Sequence, residues 1–375
     1  MIKIAYIIDT IATPGAGTEK QLLLLLEKLD RSRFEPHLIC LRESDWLKNN
    51  TLPVPVKIIG CGRMKSPRFF ADIKKLSGYL RSERFQIAQT FFVDGNIYGT
   101  TAAHFAKIPV VISSRRNIGY WHDRLQLGIL RFLRRWTTHY LANSQAVVEK
   151  TITTEGVNRD KLTLIYNGLD LDRFMQDSTE VRAQLRRDWA IADSEILIGS
   201  VANLRPVKNN ESLIKAAGAL AKKDERLRLV VVGEGSSRAA CQRLIDELGM
   251  KERFHLVGAF ADIVPCLAAF DIAVLASQSE SFSNSLIEYM AAQKPIVASA
   301  VGGNVEAVEN NRTGLLFDVD NPAALEEALA RMIANQELAA RLAQAAREDA
   351  LNRYAWQKSV TAHEEFYSSI AGVRN

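Results

Sequence analysis

Two glutamates, Glu280 and Glu288, lie with seven residues between them in the stretch SESFSNSLIEYMAAQKPIVASAVGG. The apolar run DIAVLAS precedes them, and a helix is expected from about Asn284. Glu280 to Ser283 therefore fall at the C-terminal edge of a strand and the N-terminus of a helix. Unpaired N–H groups and the positive helix end make such a junction an anion site. A diphosphate suits it. Glu280 would be repelled there unless it points past the phosphates, toward sugar hydroxyls and developing positive charge. Glu288, about one turn into the helix, is placed to accept hydrogen bonds from a vicinal diol such as a ribose. The competing structural role is a capping box, Ser285 with Glu288, which would only satisfy the helix end.

Other expected strand ends carry matching groups. NLRPVK, after the strand ILIGSVA, sets Asn203, Arg205 and Lys208 in one loop, where two cations can neutralise a diphosphate. GEG (Gly233–Gly235) and GGNVE (Gly302, Gly303, Glu306) follow two further strands and permit close backbone approach. Metal chemistry has no comparable signal. No histidine cluster is present, and the pair Asp170 and Asp172 sits in an expected linker. The four cysteines are far apart, so neither a disulfide framework nor a thiolate zinc site is expected.

These groups need a scaffold of strands alternating with helices. From IKIAYIID to HYLANS the first half reads that way, and from EILIGSVA to TGLLF the second repeats it. The fold expected is α/β: two Rossmann-like, doubly wound parallel-sheet domains facing a central cleft. Their expected limits are 1–168, a polar linker 169–190, and 191–355, with a last helix at about 356–375. At 375 residues two domains fit better than one. No run reaches the ~18 apolar residues of a membrane span. The opening MIKIAYIID lacks the zones of a signal peptide, so a cytoplasmic protein is expected. Residues 1–168 carry 25 Lys and Arg against 14 Asp and Glu, while the remainder carries 23 against 29. The first half is thus basic, which suits ordinary solvated surface or an anionic partner such as a membrane or a phosphorylated acceptor. Nucleic acid is not expected as a partner.

Taken together, ESFSNSLIEYMAAQKPIVAS with GGNVEAV, YNGLD (Tyr166–Asp170) and ANSQAV (Ala142–Val147) resemble the retaining GT-B glycosyltransferases of family 4. The resemblance covers nearly the whole chain. It implies a nucleotide-diphosphate sugar held mainly by the C-terminal domain, with UDP favoured over GDP, and transfer with retention. It also implies a glycan or lipid-linked acceptor on the N-terminal domain and no cofactor or metal. By that resemblance Lys208 and Arg205 bind the pyrophosphate and Glu280 contacts the sugar. Ser281, Phe282, Ser283, Asn284 and Ser285 meet phosphate or ribose, and Glu288 holds the ribose hydroxyls. Phe260 and Ile263 flank the base, and Asn203 and Gly233 line the donor. Gly17 and Thr18, in PGAGTEKQ, close on phosphates and acceptor.

The chain departs from the family pattern at three places. Gly15-Ala16-Gly17 replaces two adjacent glycines, and Asn203 stands where an arginine is frequent. After PVVIS many relatives have a histidine that touches the sugar; here the sequence is SSRRNIGYWHD. Arg115 and Arg116 there suit an acceptor with phosphate or carboxylate, or else a salt bridge between domains. His122 is too far along, and His104 belongs on a packed helix. Arg115–Tyr140 holds six arginines among Tyr120, Trp121, Phe132 and Trp136, with Leu125, Ile129, Phe132, Leu133 and Trp136 at helical spacing. Either a core-facing helix with a basic outer face or a membrane-surface helix fits. Two rival functions share the architecture: a nucleotide-sugar epimerase and a non-catalytic nucleotide-sugar binding protein. A nicotinamide oxidoreductase is disfavoured, because Lys20 replaces the third glycine of the fingerprint.

Overall fold

The structure is a computed structural model that describes all residues except 13, 16, 63, 65, 119–122, 177 and 373–375. It divides into two compact units, Met1–Gly168 with Trp356–Asn375, and Leu169–Ala355.

The first unit is built on seven parallel strands: β1 (Ile2–Ile8), β2 (Phe34–Cys40), β3 (Val56–Ile58), β4 (Ile87–Thr90), β5 (Val110–Arg115), β6 (His139–Ala142) and β7 (Leu162–Leu164), in the order β3-β2-β1-β4-β5-β6-β7. Side chains of β1 alternate between two apolar layers, as the two-residue period of a strand requires. Ile4, Tyr6 and Ile8 meet Leu22, Leu25 and Leu26 of the helix Gly17–Lys28, together with Val360, Tyr367 and Ile370 of the helix Trp356–Ala371. Ala5 and Ile7 face the opposite layer, with Leu76 and Leu80 of the helix Phe69–Ser82 and Tyr98 and Ala102 of the helix Val93–Ala106. Burial on both faces is why β1 reads as a continuous apolar run.

The second unit has six parallel strands: β8 (Ile196–Val201), β9 (Leu227–Val232), β10 (Phe254–Gly258), β11 (Ile272–Leu275), β12 (Ile296–Ser299) and β13 (Leu315–Phe317), in the order β10-β9-β8-β11-β12-β13. The architecture is α/β, two Rossmann-like domains with all-parallel sheets. In each sheet the winding direction reverses once, between β1 and β4 and between β8 and β11. Ligands of such sheets bind beyond the strand C-termini at that reversal.

The stretch 169–190, expected as an irregular linker, contains a regular helix, Thr179–Asp188. Its polar composition made it read as a linker. Arg186 is instead fully buried, donating to the carbonyls of Ala269, Ala192 and Glu195 and to Asp271. Arg182 joins it on Asp271 at 2.7 Å. Bonds to buried carbonyls, which a sequence does not display, anchor this segment in the second unit.

Candidate functional site

At the reversal in the second sheet, the loop after β8 carries Asn203 to Lys208 and the loop after β11 carries Ser277 to Ser283. A short 3-10 turn, Pro206–Lys208, ends at Asn209, whose backbone is left-handed at φ 53°. Asparagine tolerates that conformation better than most residues. The turn directs Lys208 onto Glu280: Nζ donates to Oε1 at 2.5 Å, with the side chains 18% and 9% exposed. Ser277, fully buried, donates its Oγ to the same carboxylate oxygen at 2.7 Å. Backbone also laces the two loops together, Gln278 N–H donating to the Val207 carbonyl at 2.8 Å. Two of the residues expected to handle a donor, Lys208 and Glu280, are thus in contact.

Gly302 and Gly303 support this arrangement from β12. A Cβ on Gly302 would lie 1.8 Å from the Glu280 carbonyl oxygen, and one on Gly303 would lie 2.1 Å from that of Ser281. Gly302 also has φ 48°, and Gly303 N–H donates to the Glu280 carbonyl at 3.2 Å. Their role is to let one loop rest on another. Gly233 does the same beneath the first loop, where a Cβ would stand 2.1 Å from the Ala202 carbonyl. A chain of buried hydrogen bonds continues behind: Asn304 Nδ2 donates to the Ser299 carbonyl and Ser299 Oγ to the Ser277 carbonyl, at 3.0 and 2.6 Å.

The helix beyond Glu280 spans Asn284–Ala291, with Ser283 as its cap; Ser283 Oγ accepts from Leu286 N–H at 3.4 Å. The capping box anticipated from Ser285 and Glu288 is therefore displaced. Ser285 lies inside the first turn, and Glu288 is buried one turn further along. Ser281, Asn284 and Ser285 are half-buried around the helix start. Phe282 is buried edge-to-face against Tyr354 at 5.5 Å, so its ring serves packing. Arg205 is exposed, and its Nε donates to Asn203 Oδ1 at 3.2 Å. Phe260 and Ile263 follow β10, at the sheet edge; Phe260 is exposed and meets the Trp189 ring at 6.3 Å. Among the described residues no group of three or more His, Cys, Asp or Glu is placed to hold a metal ion.

In the first unit Gly17 and Thr18 open the helix that follows β1, while Ala16 lies outside the described residues. Arg115, expected to meet an acceptor or to bridge the domains, is engaged by partners within the first unit. Its guanidinium is buried and bidentate on Glu155 at 2.8 and 2.7 Å, donates to Ser113 Oγ at 2.6 Å and lies over the Tyr140 ring. Arg116 donates to Asn167 Oδ1, and burial lowers its pKa to about 10. A small pocket beside it is lined by Gln21, Gln89, Phe91 and His363. Burial also holds His363 neutral, with its pKa lowered to about 4. His104 lies on the helix Val93–Ala106, and its own ring is exposed, stacked on Trp136 at 4.2 Å. Tyr120, Trp121 and His122 lie outside the described residues.

One cluster at the β1–β4 reversal has no counterpart in the sequence reading. Asp9, just past β1, accepts from Gly95 N–H at 2.5 Å and forms an ion pair with Arg42 at 3.5 Å, while Arg42 also bridges to Asp94 at 2.8 Å. Burial and the neighbouring Asp94 raise the Asp9 carboxyl to about 7. Spacings of 33 and 52 residues between its members gave no local signal.

Residues 15–173 match the model of Glycosyltransferase Family 4, and residues 181–349 match that of Glycosyl transferases group 1. An N-acetyl-alpha-D-glucosaminyl L-malate synthase of Bacillus anthracis is 26% identical over 65% of this chain and 62% of its own length. A D-inositol 3-phosphate glycosyltransferase of Salinispora arenicola is 32% identical over 62% of this chain and 55% of its own. The chain thus spans somewhat over half the length of these two curated relatives. The crystal structure of Anabaena Alr3699/HepE in complex with UDP has a TM-score of 0.85 at 22% identity, covering 98% of this chain and 100% of that one. At that identity the likeness speaks for the fold, which is that of GT-B neighbours.

Proposed function

The chain belongs, domain by domain, to the family 4 and group 1 glycosyltransferases, and from that premise we propose that it transfers a sugar from a nucleotide diphosphate to an acceptor hydroxyl. The observation that carries this reading is the contact of Lys208 with Glu280 at the reversal of the second sheet, beside the start of the helix Asn284–Ala291. A cation, a helix N-terminus and a carboxylate converge there. They match in turn the diphosphate, its charge and the sugar hydroxyls.

Lys208 and Arg205 stabilise the departing diphosphate, helped by N–H groups at the helix start, and this electrostatic term supplies most of the acceleration. Glu280 holds the sugar, and Glu288 the ribose. The acceptor hydroxyl attacks from the leaving-group face and gives its proton to a donor phosphate oxygen, so configuration is retained. No metal enters this scheme. UDP is the favoured nucleotide, in keeping with the UDP bound to the Anabaena neighbour. Both relatives described above are named for acceptors that carry a carboxylate or a phosphate. That supports an anionic acceptor met by Thr18 and Arg116, since Arg115 is engaged by Glu155. A glycan or lipid-linked acceptor in cell-envelope assembly fits the same description.

A thermal-shift panel of UDP, GDP, ADP and their sugars tests the donor, because a ligand bound only by the native state raises Tm. The expected result is a rise with UDP and its sugars that is lost in Lys208→Ala. A Tm unmoved by every nucleotide would sink the proposal. Binding of a UDP-sugar with neither transfer nor slow hydrolysis would leave the non-catalytic alternative. Release of a sugar epimer would favour the epimerase.

A further inference from the structure

The helix Arg124–Leu133 turns an unusual side outward. Leu130 and Leu133 are buried in a small cluster with Ile97, fixing the inner face. Arg124, Leu125, Gly128, Arg131 and Phe132 are all exposed. At 3.6 residues per turn they share an arc of about 120°. Leu125 is 57% exposed and Phe132 is 46% exposed, two turns apart on one side of a short helix. Residues 124–135 contain four arginines and no acid. Among the described residues none of these four takes part in an ion pair, although three donate to carbonyls: Arg131 to Thr154, Arg134 to Gly156 and Arg135 to Phe132. The helix Phe69–Ser82, in the same layer, adds Phe70, which is 80% exposed, while its neighbour Phe69 packs into the cluster around Leu130.

An ordinary solvated helix would interleave acids with these arginines and would not leave Leu125 and Phe132 in water. We propose that this outer face docks on an anionic lipid bilayer, the arginines reaching headgroup phosphates while Leu125, Phe132 and Phe70 enter the acyl boundary. Charge complementarity selects this partner. The first 168 residues carry 25 basic against 14 acidic side chains, and the charged side chains on the outward face of the helix, Arg124 and Arg131, are both cationic. Interfacial helices combine these two features, apolar insertion and attraction to anionic headgroups. Arginine suits the position because its stem lies along apolar surface while its fork stays with phosphate. Arg135 already places its guanidinium over the Phe132 ring, at 3.8 Å, so cation and apolar surface share one patch.

The test is co-sedimentation of the full chain with vesicles of phosphatidylglycerol and phosphatidylcholine, and with phosphatidylcholine alone. Binding is expected only to the anionic vesicles, falling as salt rises, and at least about tenfold weaker in Leu125→Glu/Phe132→Glu. Hydrogen exchange on the unmutated chain, expected to show vesicle-dependent protection over 124–135, keeps the test valid should the variant fold poorly. Equal binding to both vesicle types, or protection elsewhere with none over 124–135, would overturn the proposal. So would a chain that self-associates through this face, dispersed by the double substitution, without retaining any vesicle.

Discussion

The two sheets reverse their winding at equivalent places, yet the carboxylate found at each reversal does a different job. In the first sheet Asp9 reaches across to the start of the helix Val93–Ala106 and accepts from Gly95 N–H. The residue ahead of that helix, Phe92, offers no capping side chain, so Asp9 acts as the cap from another strand. In the second sheet Ser283 caps its own helix, and Glu280 is held off the helix end by Lys208 and Ser277. One helix terminus is thus neutralised from within by a protein carboxylate. The other keeps a cation beside it, which is the arrangement a diphosphate needs. Two copies of one architecture thus differ in where a single acid is anchored.

The largest effect expected from this contrast is on turnover. Lys208→Ala removes the cation at the second reversal and is expected to lower kcat by ~10²–10³, measured with a UDP-sugar donor, while Tm stays within a few degrees. Arg115→Met tests the opposite kind of pair. It strands Glu155 in the interior, so a stability loss of about 3–5 kcal/mol is expected in urea unfolding, with the remaining folded fraction still binding donor. Should Lys208→Ala unfold the chain while Arg115→Met left it stable, the two pairs would have been assigned in reverse. Gly303→Ala is expected to cost about 1–3 kcal/mol and to weaken donor affinity, because its Cβ overlaps the Ser281 carbonyl and pushes the Glu280 loop. Unchanged affinity in that variant would free the loop from its glycine support.

The smallest effect concerns pH. The Asp9 carboxyl is raised to about 7 in the fold from an ordinary value of 3.8, so between those two values the native state holds a proton that the unfolded chain has released. Stability from this group therefore falls as pH rises through that window and is level above it. Asp9→Asn should flatten the decline, shrinking the Tm difference between pH 5 and pH 8 by a few degrees. An identical profile in both proteins would remove Asp9 from the account.

Much of this was legible in the residues alone. Alternation of apolar runs with amphipathic stretches gave both parallel sheets, since strands buried on two faces and helices buried on one leave different periods. The convergence of Lys208 with Glu280 followed from placing each loop at a strand end. Pairings across distance were not legible. Glu155 lies forty residues beyond Arg115, and nothing local distinguishes a guanidinium that meets a carboxylate from one that awaits a substrate. The same blindness made 169–190 look irregular, because Arg182 and Arg186 count as polar in any pattern while their partners are buried carbonyls and Asp271. The helix starts at Asn284 as expected, but its cap is Ser283 rather than Ser285, because several serines compete there and backbone geometry chooses among them.

The helix Trp356–Ala371 has a consequence for how the protein is made. Its Tyr367 hydroxyl donates to Gln89 at 2.6 Å, and Val360 and Ile370 complete the apolar layer that Ile4 and Tyr6 begin. A ribosome delivers those partners only after all of Leu169–Ala355 has been synthesised. The half that emerges first must therefore wait with that side of its β-sheet covered only in part, by the helix Gly17–Lys28, while the half that emerges second can close at once. Order of synthesis and order of completion run in opposite directions, and chaperones meeting the nascent chain would find their exposed surface on β1.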